Sequence, residues 1–276
     1  MACPLVGGPR MSIHACSVAF RHSSPTAAGL AAYTRQHGFD GIEIWAPHAR
    51  EMADDWDALP ERPDVAMLSG YLPLGTSGFD LVEAQGLVDL TSRWQAPKLR
   101  LFAGQMGWDQ ASAVDRAAII RDLRLVAGMA QDQGLQIAIE THPGTLADSL
   151  TATCDLMQML DHPAIGLNFD VLHVWEGGTD PVAALDRLAP YLCHVHLKNV
   201  TTRDRLTVFA PGNVHDADGD RTGMCRLFDG VLDYDRILPA LPQRLDMSLE
   251  WFGPDPAQVM AGDLAVIRQT ANRKAA

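Results

Sequence analysis

Short apolar runs alternate with longer amphipathic stretches along nearly the whole chain. The runs at 12–20, 41–45, 65–69, 98–102, 136–142, 165–170, 191–198 and 246–251 carry the β-type pattern. The stretches 25–37, 49–58, 79–94, 112–133 and 147–160, a segment after Pro181, 233–241 and 256–272 carry the helical one. Gly38 and Gly134 close two of these helices, as residues free to adopt a left-handed backbone do. Eight strand–helix units in succession predict an α/β fold, a parallel (β/α)8 TIM barrel, in one domain over 1–276. A doubly wound open sheet is the rival arrangement. No G-x-G-x-x-G follows the first strand, which weakens its dinucleotide-binding form. Residues 1–10 read as a loose N-terminal extension, and 199–232 as a long loop after strand seven.

One run departs from its own pattern. Gln136 to Ile139 is apolar in type, and Glu140-Thr141-His142-Pro143 then turns polar. Side chains alternate along a strand, so Glu140 and His142 share a face. Pro143 cannot donate to a ladder and suits a strand end. A strand buried on both faces should stay apolar. A carboxylate placed there needs a partner or a metal, because a lone buried ion costs several kcal/mol.

Composition narrows the field. A net charge of −12 over 276 residues argues against a phosphate-binding face, so no nucleic-acid partner is expected. The five cysteines are scattered, without a C-x-x-C pair, and read as reduced thiols of a cytoplasmic protein. Neither a signal peptide nor an 18-residue apolar span is evident, so no membrane association is expected.

Chemistry in such barrels sits where strands end, at the C-terminal face. The polar residues there are Glu43, Arg100, Glu140, His142, Asp170, His194, His196, Lys198 and Glu250. Glu140, Asp170, His196 and Glu250 come from strands five to eight, which are neighbours on the wall. Three carboxylates and an imidazole together call for a cation. An oxygen-rich set with one nitrogen suits Mn²⁺, Mg²⁺ or Co²⁺, and Zn²⁺ is tolerated. The alternative is carboxylates paired with arginine and lysine. Glu43 reads as a structural partner for Arg100 or Lys198, and His194 as a packed core histidine. His14, His22, His37, His48, His162 and His215 show no pairing spacing.

The chain resembles the xylose-isomerase-like barrel superfamily, and within it the bacterial 3-dehydroshikimate dehydratases that form protocatechuate. The likeness runs through Ser17-Val18-Ala19-Phe20-Arg21-His22, the stretch 38–45, Ser69-Gly70-Tyr71-Leu72 and the stretch 99–104. It continues through Glu140-Thr141-His142-Pro143, Leu146-Ala147-Asp148, Asp170-Val171-Leu172-His173 and His194-Val195-His196-Leu197-Lys198-Asn199. The E-T-H-P and H-x-H-L-K-N runs are the more specific, and G-I-E marks only the superfamily. The resemblance implies metal ligation by the same four residues, and catalytic or substrate contacts at Tyr71, Arg100, His142, His173 and Lys198. It implies loss of water from a cyclic β-hydroxyketone carboxylate by way of an enolate whose charge the metal stabilises.

In that scheme His142 is the general base, an imidazole that titrates near neutrality. Lys198 polarises an oxygen or protonates the leaving group, Arg100 holds the carboxylate or enolate, and Tyr71 meets a ring hydroxyl. The long loop should cover the mouth over strand seven, with one of Arg203, Arg205, Arg221 or Arg226 meeting the substrate carboxylate. A solvated loop or a homodimer contact is the other reading of that stretch. The rival functions are a ketose epimerase or isomerase on the same metal site, a multi-metal nuclease, which the acidity opposes, and a non-catalytic metal- or sugar-binding protein.

Overall fold

A computed structural model describes residues 11–275, and the 1–10 extension lies outside the described residues. Eight parallel strands among them close into a barrel. In chain order these are β1 Ser12–Cys16, β2 Gly41–Trp45, β3 Val65–Ser69, β4 Lys98–Leu101, β5 Gln136–Glu140, β6 Ile165–Asp170, β7 Leu192–Leu197 and β8 Asp246–Leu249. Consecutive strands are neighbours, and β8 pairs with β1 to close the ring. The expected (β/α)8 architecture is therefore present.

Alternation along each strand separates two environments. One set, including Ile13, Ile42, Ile44, Leu68, Leu99, Leu101, Ile139, Leu167, Phe169, Val195 and Met247, is buried in the apolar core. The helices pack on this side, for example Leu81–Arg93 through Ala84, Leu87 and Val88. The other set points into the barrel and is mostly polar, with Met67 and Ala138 among the exceptions. Two contacts prove its direction, since their strands are not neighbours. Lys98 Nζ of β4 lies 2.6 Å from Asp246 Oδ2 of β8, and His196 Nε2 of β7 lies 2.9 Å from Glu43 Oε2 of β2. Such bonds run through the interior. Polar residues on alternate strand positions thus face one another across the axis, as these two pairs do.

Three boundaries differ from the sequence pattern. The first strand ends at Cys16, and Ser17–Phe20 winds into a 3-10 turn. Val171–Glu176, which carries no strong periodicity, forms a short helix capped by Asp170. Within the long loop, Asn199–Val200 and Met224–Cys225 make a small antiparallel pair, with Arg203–Phe209 and Pro211–His215 helical between them. Asn199 holds this loop to the barrel, donating to Leu227 O and Leu232 O and accepting from Leu232 N. No described helix is long and apolar enough to cross a membrane.

Two glycines test the packing in opposite directions. A Cβ at Gly41 would overlap Asp64 O and sit 2.8 Å from His14 Nδ1, inside the barrel. Gly86 lies on the exposed side of helix Leu81–Arg93 with nothing within 4 Å. Gly41→Ala should lower unfolding stability by about 1–3 kcal/mol, as overpacking does. Gly86→Ala should raise it by roughly 0.5–1 kcal/mol, through helix propensity. Chemical denaturation of both variants measures the two signs.

Candidate active site

His196 stands at the centre of the barrel mouth, fully buried, between four carboxylates. Its Nε2 faces Glu43 at 2.9 Å. Its Nδ1 lies 3.5 Å from Glu140 Oε1, 3.6 Å from Glu250 Oε1 and 3.8 Å from Asp170 Oδ2. Glu140, Asp170, His196 and Glu250 each offer a ligand atom within 4.8 Å of all the others. The four predicted ligands thus meet, from adjacent strands or their ends.

Local structure explains how each is held. Glu140 closes β5, and the next residue, Thr141, accepts a hydrogen bond from Asp170 N through its hydroxyl. The ends of β5 and β6 are thereby locked in register. Asp170 Oδ1 accepts from His173 N as the cap of helix Val171–Glu176, which turns Oδ2 toward His196. Glu250 lies one residue past β8 and donates its backbone N–H to Leu197 O. Tyr234 Oη pins the backbone of Lys198, donating to its carbonyl and accepting from its N–H.

Two cations oppose the acids. Arg100 Nε lies 2.9 Å from Glu140 Oε2, and Lys198 Nζ lies 2.6 Å from both Asp170 Oδ2 and Glu250 Oε2. Burial alone would raise the Glu140 carboxyl, but Arg100 and His196 beside it hold it well below the usual range. Burial also works against the charge on Lys198, and Asp170 and Glu250 more than offset it, so its pKa is raised. His196 is likewise disfavoured as a cation by burial, yet Glu43, Glu250 and Glu140 raise it well above its ordinary value.

The donor set fits a divalent ion. With His196 neutral, as a metal-ligating imidazole must be, four buried carboxylates face two buried cations, leaving two negative charges. His196 Nδ1 has no hydrogen-bond partner although it is buried. A buried polar atom left unpaired costs on the order of 1–3 kcal/mol, so such atoms point to a missing cation. Oxygen donors with one imidazole suit Mg²⁺, Mn²⁺ or a borderline ion such as Zn²⁺.

A cavity opens beside this cluster. Tyr71, Arg100, His142, His173 and Lys198 all line it, so the five predicted contact residues come together. His142 sits between two rings, 4.5 Å from Phe102 and 4.4 Å from His173 by centroids. Its Nδ1 lies 2.7 Å from Pro143 O. A carbonyl only accepts, so the ring proton sits on Nδ1 and Nε2 carries the lone pair. Burial, with His173 beside it, lowers the His142 pKa to about 3 and not to the near-neutral value expected from the sequence, so the ring is neutral in ordinary buffers. His173 Nδ1 faces Glu176 Oε2 at 2.8 Å in the same manner. Tyr71, at the rim and 40% exposed, accepts from Trp45 Nε1 and lies over Arg100.

Some expectations fail here. Glu43 does not partner Arg100 or Lys198; it accepts from Ser69 Oγ and faces His196 Nε2, with His194 Nε2 3.6 Å away. Its strand alternation gave the face correctly but not the partner across the barrel. None of Arg203, Arg205, Arg221 or Arg226 lines the cavity. Arg203 bonds Trp175 O and Glu176 O and covers the Trp175 ring, while Arg221 bonds carbonyls of its own loop. The loop does reach the cavity, through Phe209, Pro211, Val214 and His215. His215, which has no pairing spacing in the sequence, stacks on Trp45 at 5.8 Å. Arg21 bonds the carbonyls of Val18, Val214 and Phe252, three residues of the cavity wall, and no periodicity marks it.

Comparison with known proteins agrees with this fold. The family model described as xylose isomerase-like TIM barrel matches residues 31–270. A 3-dehydroshikimate dehydratase of Bacillus anthracis is 33% identical, over 93% of this chain and 96% of that protein. The crystal structure of the probable 3-DHS dehydratase AsbF, involved in petrobactin synthesis in Bacillus anthracis, superposes with a TM-score of 0.88 at 32% identity. It covers 94% of this chain and 99% of its own. A xylose isomerase-like barrel of Mycobacterium smegmatis in complex with magnesium has a TM-score of 0.66 at 18% identity, over 94% and 96% of the two chains, and speaks for the fold alone.

A divalent ion at this cluster should stabilise the folded chain. At a hundredfold excess over its Kd the gain is about 2.7 kcal/mol. Chelator-treated protein should therefore melt at a lower temperature than protein resupplied with Mn²⁺. In Asp170→Asn the Mn²⁺-induced shift should nearly vanish; an equal shift in both proteins would place the ion elsewhere.

Proposed function

We propose that this chain, which belongs to the xylose isomerase-like TIM barrel family, is a metal-dependent 3-dehydroshikimate dehydratase. The product is protocatechuate. Support comes from the dehydratase relative, which aligns along nearly all of both chains. The observation that carries the reading is His142: a neutral imidazole in the cavity, its proton fixed on Nδ1 by Pro143 O and its lone pair on Nε2.

Glu140, Asp170, His196 and Glu250 would hold the ion. When bound there, a divalent ion supplies Lewis-acid stabilisation of negative charge developing on a ketone oxygen. The remaining work belongs to the side chains. His142 Nε2 takes the proton α to the ketone. The β carbon–oxygen bond then breaks, and the departing hydroxyl receives that proton from His142 and leaves as water. A second ring carbon gives up a proton while the ketone oxygen gains one, and the ring becomes an aromatic diol. Positioned proton transfer of this kind contributes roughly 10²–10⁴-fold.

Arg100, stacked on Tyr71 and Phe102, keeps N–H groups for a carboxylate or enolate beyond its contact with Glu140. Tyr71 already accepts from Trp45, so its own O–H is free to donate to a ring hydroxyl. Lys198, tied to Asp170 and Glu250, balances their charge and turns toward the cavity. His173 supports the His142 ring.

An epimerase acting on a sugar is the alternative. Its acid and base would be two of the strand carboxylates, yet here Glu140, Asp170 and Glu250 are each spent on a cation and on His196. The outer wall also favours the dehydratase. Val18, Phe209, Val214 and Phe252 offer no side-chain hydrogen bonds. A hydroxyl on every ring carbon would be buried there unpaired, at about 1–3 kcal/mol each. A ring that loses a hydroxyl and flattens suits that wall better.

Incubation with 3-dehydroshikimate and Mn²⁺ should produce catechol absorbance. His142→Ala should lower that rate by about 10²–10⁴-fold while its Mn²⁺ affinity stays within a few-fold of the parent. A full rate in the variant would remove His142 as the base. Stereochemical exchange of a sugar without loss of water would favour the epimerase.

A further inference from the structure

Glu43 is a buried carboxylate, 2% exposed, for which the dehydration scheme has no use. Its surroundings are built. Ser69 Oγ donates to Oε1, and His196 Nε2 lies 2.9 Å from Oε2 and 3.2 Å from Oε1. His194 Nε2 stands 3.6 Å from the same Oε2, and itself lies 2.7 Å from Ser248 Oγ. These groups come from β2, β3, β7 and β8, so the carboxylate is fixed from several sides of the barrel. Ser69 Oγ donates to this carboxylate, and Nε2 of His196 lies within hydrogen-bond reach of both its oxygens, so Glu43 takes the accepting role toward the imidazole.

We infer that Glu43 is a positioning residue for the metal site: its carboxylate accepts the Nε2 proton of His196 and so directs the Nδ1 lone pair at the ion held by Glu140, Asp170 and Glu250. The inference rests on the metal-binding part of the proposed function, and not on the substrate. The geometry leaves little freedom. Nε2 faces Glu43 while Nδ1 faces the other three carboxylates, so the two nitrogens have separate partners. A proton left on Nδ1 would take the position the ion needs. The negative charge also makes the imidazole a stronger donor, and outer partners of this kind commonly contribute 10–100-fold to metal affinity. Charge closes as well, since Glu43 brings the negative excess around His196 to two.

Cys16, Glu43 and His196 also offer ligand atoms within 4.8 Å of one another, on the opposite side of the imidazole. Both Glu43 oxygens are already engaged by Ser69 and His196, which assigns Glu43 to positioning and not to a second ion.

The test is Mn²⁺ titration of the full-length chelator-treated protein, following free Mn²⁺ by electron paramagnetic resonance. The parent should bind one ion per chain. Glu43→Gln, which keeps an accepting oxygen but loses the charge, should weaken binding about 10-fold, and Glu43→Ala up to about 100-fold. At saturating Mn²⁺, the Glu43→Gln variant should change its KM for 3-dehydroshikimate less than its Mn²⁺ affinity, because Glu43 does not line the cavity. Unfolding midpoints of the metal-free variants separate folding from binding. Should Glu43→Ala fail to fold, the near-isosteric Glu43→Gln and Ser69→Ala, expected to cost a few-fold in Mn²⁺ affinity, carry the test. Unchanged Mn²⁺ affinity in folded Glu43→Gln would overturn the inference, as would two ions per parent chain. Metal affinities that behave as stated in a protein inert toward 3-dehydroshikimate would leave the inference standing and remove only the substrate assignment.

Discussion

A single imidazole set among four carboxylates governs the mouth of this barrel. His196 touches Glu43 on one edge and Glu140, Asp170 and Glu250 on the other. Charges this deep are tolerated only when paired, since desolvation costs several kcal/mol per ion. Arg100 and Lys198 balance half of the negative charge and a divalent ion would balance the remainder. Much of the local structure serves that balance. The Thr141 link between β5 and β6, the Asp170 cap and the Tyr234 clamp on Lys198 each fix one participant.

The rest of the cavity divides into a polar side and an apolar side. Acids, cations and the two paired imidazoles, His142 and His173, come from strand ends and the turns that follow them. The apolar side comes from the chain after β1, the long loop and the chain after β8, with Arg21 bonding a carbonyl from each. Rigid strands thus carry the groups whose spacing decides the chemistry, and loops carry the surface that selects substrate shape, as is general for such barrels.

Much of this was legible in the sequence. Alternation within short runs placed β2, β3 and β6 at their observed limits, and the polar breaks in β5 to β8 marked the four acid and imidazole positions. Glu140 and His142 stood out because they interrupt an apolar strand. Periodicity says which face a residue takes, but not what lies opposite it across a closed barrel. Glu43 was therefore paired with the wrong cations, although its inward face was correct. The long loop has no period, so Phe209, Val214 and His215 gave no signal, and its arginines suggested a carboxylate site, whereas Arg203 and Arg221 bond carbonyls and none of the four lines the cavity. Arg21 was hidden for the same reason, since its bonds go to backbone atoms far along the chain.

The measurement that bears most directly on the charge balance is anomalous diffraction from crystals grown with Mn²⁺. One strong peak should lie within coordination distance of Glu140, Asp170, Glu250 and the Nδ1 edge of His196. No peak there, with Arg100 and Lys198 alone neutralising the acids, would contradict it.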